Sequence, residues 1–223
     1  MMQIVDNIKR IKAELPENVK LVAVSKTKPN EDILQAYHAE HQIFGENKVQ
    51  DLVKKYEELP KDIEWHFIGH LQSNKVKYIA PFVDLIHAVD SLKLLKTIDK
   101  EGAKNKRKIN CLLQMHIAEE ETKFGLSFEE IIEILNSETY KELKFARITG
   151  LMGMATNTKN EKQIHKEFSY LKSCFDKLKT DFFNEDSKFV TLSSGMSGDY
   201  KIAVEEASNM VRIGSLIFGA RNY

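Results

Sequence analysis

Lys26 is the residue with the clearest chemical potential in this chain, because it follows a short apolar segment. Residues 21–24 are Leu-Val-Ala-Val, a composition typical of a strand buried on both faces of a parallel sheet. Pro29 cannot donate to a strand ladder, so we expect the strand to end near Lys26. Alternation places Val22, Val24 and Lys26 on one face. A lysine at the end of an apolar row is partly desolvated, and its amine can form Schiff bases with aldehydes.

The alternative for Lys26 is a strand-end lysine that extends into solvent. Lys28 is a second candidate for the same chemistry. It lies beyond the strand and next to Pro29, so we expect Lys28 to be solvated. Residues near the C-terminal end of the chain favour Lys26 as the reactive amine.

Two segments rich in small residues near that end predict an anion site. Residues 193–199 are Ser-Ser-Gly-Met-Ser-Gly-Asp and lead into a helical pattern, and residues 212–215 end an apolar strand. In (β/α)8 barrels the loops after strands seven and eight commonly bind phosphate through backbone N–H groups and a helix N-terminus. Gly195 and Gly214 let the backbone approach an anion closely. Each loop alone could be a plain turn, but the two together favour a phosphate site.

Arg212 adds a permanent cation at the end of the eighth predicted strand. Near a pyridine ring it can donate to the ring nitrogen and leave that nitrogen unprotonated, whereas an aspartate would keep it protonated. A lysine on strand one, two phosphate loops and this arginine together fit pyridoxal 5′-phosphate (PLP). The alternative for Arg212 is a salt bridge across the barrel.

Strands and helices that must position these residues alternate along the whole chain. The predicted strands are 21–24, 42–47, 63–69, 84–89, 109–116, 146–154, 188–193 and 210–214. Eight strands alternating with helices predict an α/β fold, a (β/α)8 TIM barrel in a single domain over residues 1–223. A doubly wound open sheet is the alternative, although no glycine-rich dinucleotide fingerprint follows the first strand.

Helix signals support this alternation. Helices are predicted over 3–15, 48–59, 73–79, 160–182 and 199–209. Asp90-Ser91 can cap a helix, and Ser127 with Glu130 has the spacing of a capping box. In a barrel the strand ends converge on one mouth. The polar or flexible residues at these ends are Lys26, Asn47, His66, Gln114, Met154, Ser193, Ser194 and Arg212.

Composition excludes several classes of protein. The 33 basic and 33 acidic residues cancel, which argues against a broad nucleic-acid or membrane-surface footprint. The two cysteines have no partner at metal-ligand spacing, so free thiols in a reducing compartment are expected. No apolar run is long enough to span a bilayer. We expect a cytoplasmic protein without nucleic-acid or membrane partners.

Six segments resemble the pyridoxal phosphate homeostasis proteins. They are Ala-Val-Ser-Lys-Thr-Lys-Pro (23–29), Phe-Gly-Glu-Asn (44–47), Trp-His-Phe-Ile-Gly-His-Leu-Gln-Ser-Asn-Lys (65–75), Gly-Leu-Met (150–152), Leu-Ser-Ser-Gly-Met-Ser (192–197) and Val-Arg-Ile-Gly-Ser-Leu-Ile-Phe-Gly-Ala-Arg (211–221). The resemblance covers nearly the whole chain. It implies an alanine-racemase-like barrel, the type III PLP fold, with PLP held as a Schiff base on Lys26.

The resemblance also implies roles for the other site residues. The implied cofactor-binding set is Lys26, Asn47, His66, Met154, Ser194, Gly195, Arg212, Gly214 and Ser215. In this set Arg212 faces the ring nitrogen, and Ser194, Gly214 and Ser215 hold the phosphate. Asn47 lies near the ring, Met154 and His66 line the pocket, and Gly195 belongs to the loop beside the phosphate.

Three functions remain open on the sequence. The first is a PLP carrier in PLP homeostasis, a monomer with PLP-dependent apo-enzymes as recipients. The second is a PLP-dependent amino-acid racemase or related enzyme, which the resemblance implies would need a second base from an added domain. That domain is expected to be missing because the chain ends at Tyr223, and Tyr200 is the nearest candidate base. The third is a Schiff-base aldolase on a sugar phosphate, with His66 as its acid or base.

Overall fold

Eight parallel strands close into a barrel in the computed structural model, which describes residues 2–120 and 124–219. The strands are β1 Lys20–Val24, β2 Ile43–Glu46, β3 Glu64–Phe67, β4 Leu85–Val89, β5 Ile109–Met115, β6 Ala146–Gly153, β7 Thr191–Ser193 and β8 Met210–Ile213. Neighbours in the chain pair with each other, and β8 pairs with β1. This closure confirms the predicted (β/α)8 barrel and rules out a doubly wound open sheet, which keeps two free edges.

Helices connect the strands. They are α1 Met2–Glu14, α2 Asn30–His38, α3 Val49–Glu58, α4 Val76–Ile79, α5 Leu92–Lys104, α6 Phe128–Asn136, α7 Glu138–Lys141, α8 Glu161–Phe182, α9 Tyr200–Glu205 and α10 Ser215–Phe218, with a 3₁₀ turn at Ser73–Lys75. Within the described ranges, none of these helices has both the length and the apolar character that a bilayer crossing needs.

Apolar side chains form two sets, one outside the barrel and one inside it. The outer set, which includes Phe44, Trp65 and Phe168, packs the strands against the helices. The inner set is smaller and includes Val22. Paired residues on adjacent strands point to the same side of a sheet, and Val22 pairs with Arg212. The same register that buries Val22 therefore turns Arg212 into the barrel.

The predicted helix signals are confirmed. Ser91 caps α5 by accepting a hydrogen bond from the Leu94 N–H, and Ser127 with Glu130 forms the capping box of α6. The apolar stripe of α8, a helix predicted over 160–182, is buried throughout. Its members are Ile164, Phe168, Leu171, Phe175 and Leu178.

Several boundaries differ from the prediction near the C-terminal strands. Helix α9 ends at Glu205 rather than near residue 209, because Ala207 adopts a φ of 65° and the Ser208 N–H turns back to the Ala203 carbonyl. Strand β7 begins at Thr191 because the Phe189 N–H bonds to Asp186 in a turn. The four-residue helices α7 and α10 were not predicted, since so short an element shows no 3.6-residue period.

Candidate functional site

The loop after β1 forms a tight turn that presents Lys26. The Lys28 N–H donates to the Ser25 carbonyl at 3.0 Å, which makes Lys26 and Thr27 the central residues of the turn. Thr27 has a φ of 65°, a left-handed conformation that is unfavourable for a β-branched residue. Lys26 itself is half-buried. Backbone strain of this kind persists only where the surroundings hold it, so the neighbours of the turn determine where Lys26 sits.

Lys28 contributes to that support. Its Nζ donates to the Phe218 carbonyl at 2.8 Å, at the C-terminal end of α10. The expectation that Lys28 is solvated was therefore wrong, because the turn brings the long side chain alongside α10. This contact joins the Lys26 turn to the loop after β8, one of the two predicted phosphate loops.

A buried ionic cluster that sequence reasoning missed lies behind the turn. Lys55 Nζ on α3 donates to Glu46 Oε1 at 2.7 Å and to the Ser25 carbonyl at 2.9 Å. The Ser25 hydroxyl donates to the same Glu46 oxygen at 2.5 Å. Burial raises the pKa of the Glu46 carboxyl, and Lys55 opposes this shift. The cluster therefore fixes the residue that precedes Lys26 to the end of β2.

The two predicted phosphate loops adjoin each other. The Gly214 N–H points to Ser197 Oγ at 3.4 Å, which links the loop after β8 to the loop after β7. Gly195 has a φ of 90°, and a Cβ at that position would lie 2.7 Å from Ala203 Cβ and 2.9 Å from Tyr200 Cα. Only glycine allows this turn to fold against α9.

The loop after β8 also packs directly on the end of β1. A Cβ on Gly214 would lie 3.2 Å from the Val24 carbonyl, two residues before Lys26. Ser215 is exposed and begins α10, whereas Ser194 is buried after β7. Its backbone N–H is already bonded to the Met210 carbonyl, so the hydroxyl is the donor that Ser194 can offer to a ligand.

Arg212 is a buried cation whose hydrogen-bond partners are neutral. Its Nη1 donates to Ser193 Oγ at 2.7 Å and its Nη2 to the Gly153 carbonyl at 3.1 Å. Burial lowers the pKa of Arg212 to about 10, which still leaves it charged at neutral pH. Asp199 acts on it only through space, and within residues 2–120 and 124–219 no carboxylate lies in salt-bridge contact with it. The alternative of a salt bridge across the barrel is not found there.

The other predicted site residues occupy different depths of the barrel. Asn47 is half-buried directly after β2, and its carbonyl packs closely against Gly69. Met154 follows β6 and lines a cavity of about 400 Å³ together with Met196. Gln114 donates to the Phe124 carbonyl at 2.7 Å. These three residues lie at or next to the ends of their strands.

His66 lies next to the end of its strand, with its ring inside the barrel. It is one residue short of the end of β3, is fully packed, and its Nδ1 lies 3.0 Å from His87 Nε2 on β4. Sequence reasoning missed His87. The feature that could have identified His87 is that it interrupts an apolar strand, β4, while the preceding strand, β3, also contains a histidine, His66. Lys55 had a comparable signal, since it lies three residues after Leu52 on the apolar side of α3.

Comparisons with known proteins agree with this geometry. The family model for the alanine racemase N-terminal domain matches residues 1–222. Proteins named pyridoxal phosphate homeostasis protein are 39% identical over 205 residues in Aquifex aeolicus, covering 92% of this chain and 88% of that protein, and 42% identical over 206 residues in Helicobacter pylori, covering 90% and 87%.

A solved structure supports the same assignment. PipY of Synechococcus elongatus, solved with PLP bound, superposes with a TM-score of 0.88 at 31% identity and covers 97% of this chain and 100% of that one. The family model, the curated relatives and this structure each extend over nearly the entire chain. The chain therefore belongs to the pyridoxal phosphate homeostasis proteins, with the barrel of the alanine racemase N-terminal domain.

Proposed function

We propose that this protein binds PLP at the mouth of the barrel and acts in PLP homeostasis, carrying the cofactor rather than turning over substrates. The observation that carries the proposal is the state of Arg212. A buried cation with only neutral partners is costly to the fold, and it is stabilised when a ligand supplies an acceptor or an opposite charge. PLP supplies both, in its ring nitrogen and its phosphate.

The other residues at the mouth fit the same ligand. The glycine turn at Gly195, the adjoining loop at Gly214 and the serines Ser194 and Ser215 offer small side chains and donors for a phosphate. When bound, PLP supplies an aldehyde that a lysine amine can engage covalently with loss of water. The strained turn offers Lys26 for this role. Asn47 and Met154 lie at the strand ends around it, and His66 lies below them.

The carrier reading is favoured over a racemase by the state of Tyr200. Its hydroxyl donates to Glu14 Oε2 at 2.5 Å, and burial raises the pKa of Tyr200 to about 12. A phenol engaged in this way is a poor proton acceptor at neutral pH. An aldolase with His66 as its acid or base is also disfavoured. Burial lowers the pKa of His66 to about 3, and its hydrogen-bond contact is with His87 inside the barrel.

The setting of the protein follows from the same proposal. Cys111 and Cys174 are both free and buried, as expected in a reducing compartment such as the cytoplasm. We place the protein there as a monomer, with PLP-dependent apo-enzymes as recipients.

Transfer of PLP tests this function. The protein is loaded with PLP, freed of excess ligand and mixed with a PLP-requiring apo-enzyme, and the activity of that enzyme is followed over time. We expect activity to appear with the loaded protein. In a parallel incubation with amino acids in deuterated water, exchange at Cα should be slow or absent. Exchange with turnover near 1–10³ per second, roughly the usual range for enzymes, would contradict the carrier reading, as would a failure to transfer PLP.

A further inference from the structure

Four polar side chains form a continuous row across the interior of the barrel. Arg212 Nη1 lies 2.7 Å from Ser193 Oγ, Ser193 Oγ lies 3.2 Å from His87 Nδ1, and His87 Nε2 lies 3.0 Å from His66 Nδ1. The four come from β8, β7, β4 and β3, so the row runs from one wall of the barrel to the opposite wall. Ser193 and His87 are both 0% exposed.

The hydrogen bonds in this row have a defined direction. A guanidinium only donates, so Ser193 Oγ accepts from Arg212 and must donate its own proton elsewhere. Among the described residues, the acceptor within reach of that hydroxyl is His87 Nδ1. His87 then carries its proton on Nε2 and donates to Nδ1 of His66, which in turn carries its proton on Nε2. Each of the three contacts in the row then pairs one donor with one acceptor.

Both imidazoles are uncharged, so they do not neutralise the charge of Arg212 at the end of the row. Burial lowers the pKa of His66 to about 3 and lowers the pKa of His87 well below its usual value, with Arg212 contributing to the second shift. A carboxylate in the place of Ser193 would orient Arg212 but would also neutralise it. A hydroxyl backed by two neutral imidazoles orients the guanidinium and leaves its charge available.

We propose that Ser193, His87 and His66 are positioning residues that hold Arg212 at the mouth of the barrel while keeping its charge available for bound PLP. This proposal rests on the proposed function for its ligand, but the row itself is formed by the protein's own side chains. Ser193 and His87 are assigned no contact with the cofactor, and within the row all three residues act through Arg212.

The first test reads the proton positions directly in the ligand-free protein. Proton–nitrogen NMR correlation of the ring nitrogens, assigned with single histidine variants, should show His66 and His87 as neutral Nε2–H tautomers at pH 7. A protonated ring, or an Nδ1–H tautomer at His87, would overturn the proposed direction of the row. This result does not depend on whether PLP binds.

The second test uses a double-mutant cycle with the PLP-loaded protein. Ser193→Ala should weaken PLP binding by roughly three- to tenfold, less than the loss of Arg212 itself because the cation remains but is less well positioned, and shift the absorbance spectrum of the bound cofactor. In an Arg212→Met background the same change should have no further effect, because its influence passes through Arg212. Equal losses in both backgrounds would show a merely structural role and overturn the proposal.

Two further results separate the possible failures. Ser193→Thr keeps the hydroxyl and should retain the wild-type spectrum. A shifted spectrum in this variant would count against the row. The variant keeps the row testable if Ser193→Ala folds poorly. Absence of PLP binding in the wild-type protein would refute the proposed function, whereas wild-type binding with an unaltered Ser193→Ala variant would refute only the positioning row.

Discussion

Replacing Lys55 by methionine is expected to lower the free energy of unfolding by about 3–5 kcal/mol, the usual cost of breaking a buried ion pair from one side. Lys55 Nζ and Glu46 Oε1 are 2.7 Å apart, with side chains 9% and 0% exposed. Glu46 Oε2 already has no hydrogen-bond partner among the described residues. Without Lys55 the carboxylate keeps, within residues 2–120 and 124–219, only the hydrogen bond from the Ser25 hydroxyl. Urea denaturation of the ligand-free protein measures the loss.

Two matched variants separate this effect from simpler ones. Lys54 precedes Lys55 on α3 and is exposed, so Lys54→Met should change stability by less than about 0.5 kcal/mol. Lys55→Met combined with Glu46→Gln removes both charges and keeps an acceptor for Ser25, so much of the lost stability should return. A loss in Lys55→Met no larger than in Lys54→Met would contradict the account.

The loss should also depend on pH in a stated direction. The folded-state pKa of Glu46 already lies above its ordinary value, and removing Lys55 raises it further. A carboxyl with a raised folded-state pKa binds more protons in the folded state than in the unfolded state. Its contribution to stability therefore falls as pH rises through that window. The gap between Lys55→Met and wild type should widen from acid toward neutral pH.

Arg212→Met is expected to weaken PLP binding by roughly ten- to a hundredfold, as for a lost buried charge-assisted hydrogen bond worth about 1.5–3 kcal/mol. The covalent bond to Lys26 should still form, with a shifted absorbance spectrum because the ring nitrogen loses its donor. Spectrophotometric titration with PLP gives both quantities. Methionine keeps much of the side-chain volume, so the barrel interior remains filled.

Arg107→Met is the matched control for this prediction. Arg107 lies just before β5, at the end of the barrel away from the mouth, and donates a hydrogen bond to the Ala80 carbonyl. Its replacement should leave the affinity for PLP unchanged. If Arg212→Met also leaves affinity and spectrum unchanged, Arg212 has only a structural role.

The barrel was predictable because its signals are local and repeated. Each strand is a short apolar segment, each helix shows a 3.6-residue period or a cap, and their alternation leaves few topologies. The positions of Lys26, Arg212 and the glycine loops at or next to strand ends were predictable for a related reason, since chain position alone places the strand ends at one mouth. The short helices α7 and α10 lie below the length at which a period appears.

The interior of the site was not predictable in the same way. Whether Lys28 meets solvent or the Phe218 carbonyl depends on a contact across 190 residues. The pairing of Glu46 with Lys55 and the row from Arg212 to His66 depend likewise on side chains from separate elements. Sequence patterns identified the buried apolar faces of the strands and helices, but the burial and the partner of a polar group are properties of the assembled barrel.

Reduction of the PLP-loaded protein with borohydride, followed by peptide mapping, identifies the lysine that holds PLP. Borohydride converts a Schiff base into a stable secondary amine, so the label marks the lysine that held the cofactor. The account predicts one pyridoxyl group on Lys26 and none on Lys28, whose Nζ is engaged by the Phe218 carbonyl, or on Lys55, which is paired with Glu46. Label on Lys28, or no label after incubation with excess PLP, would contradict it.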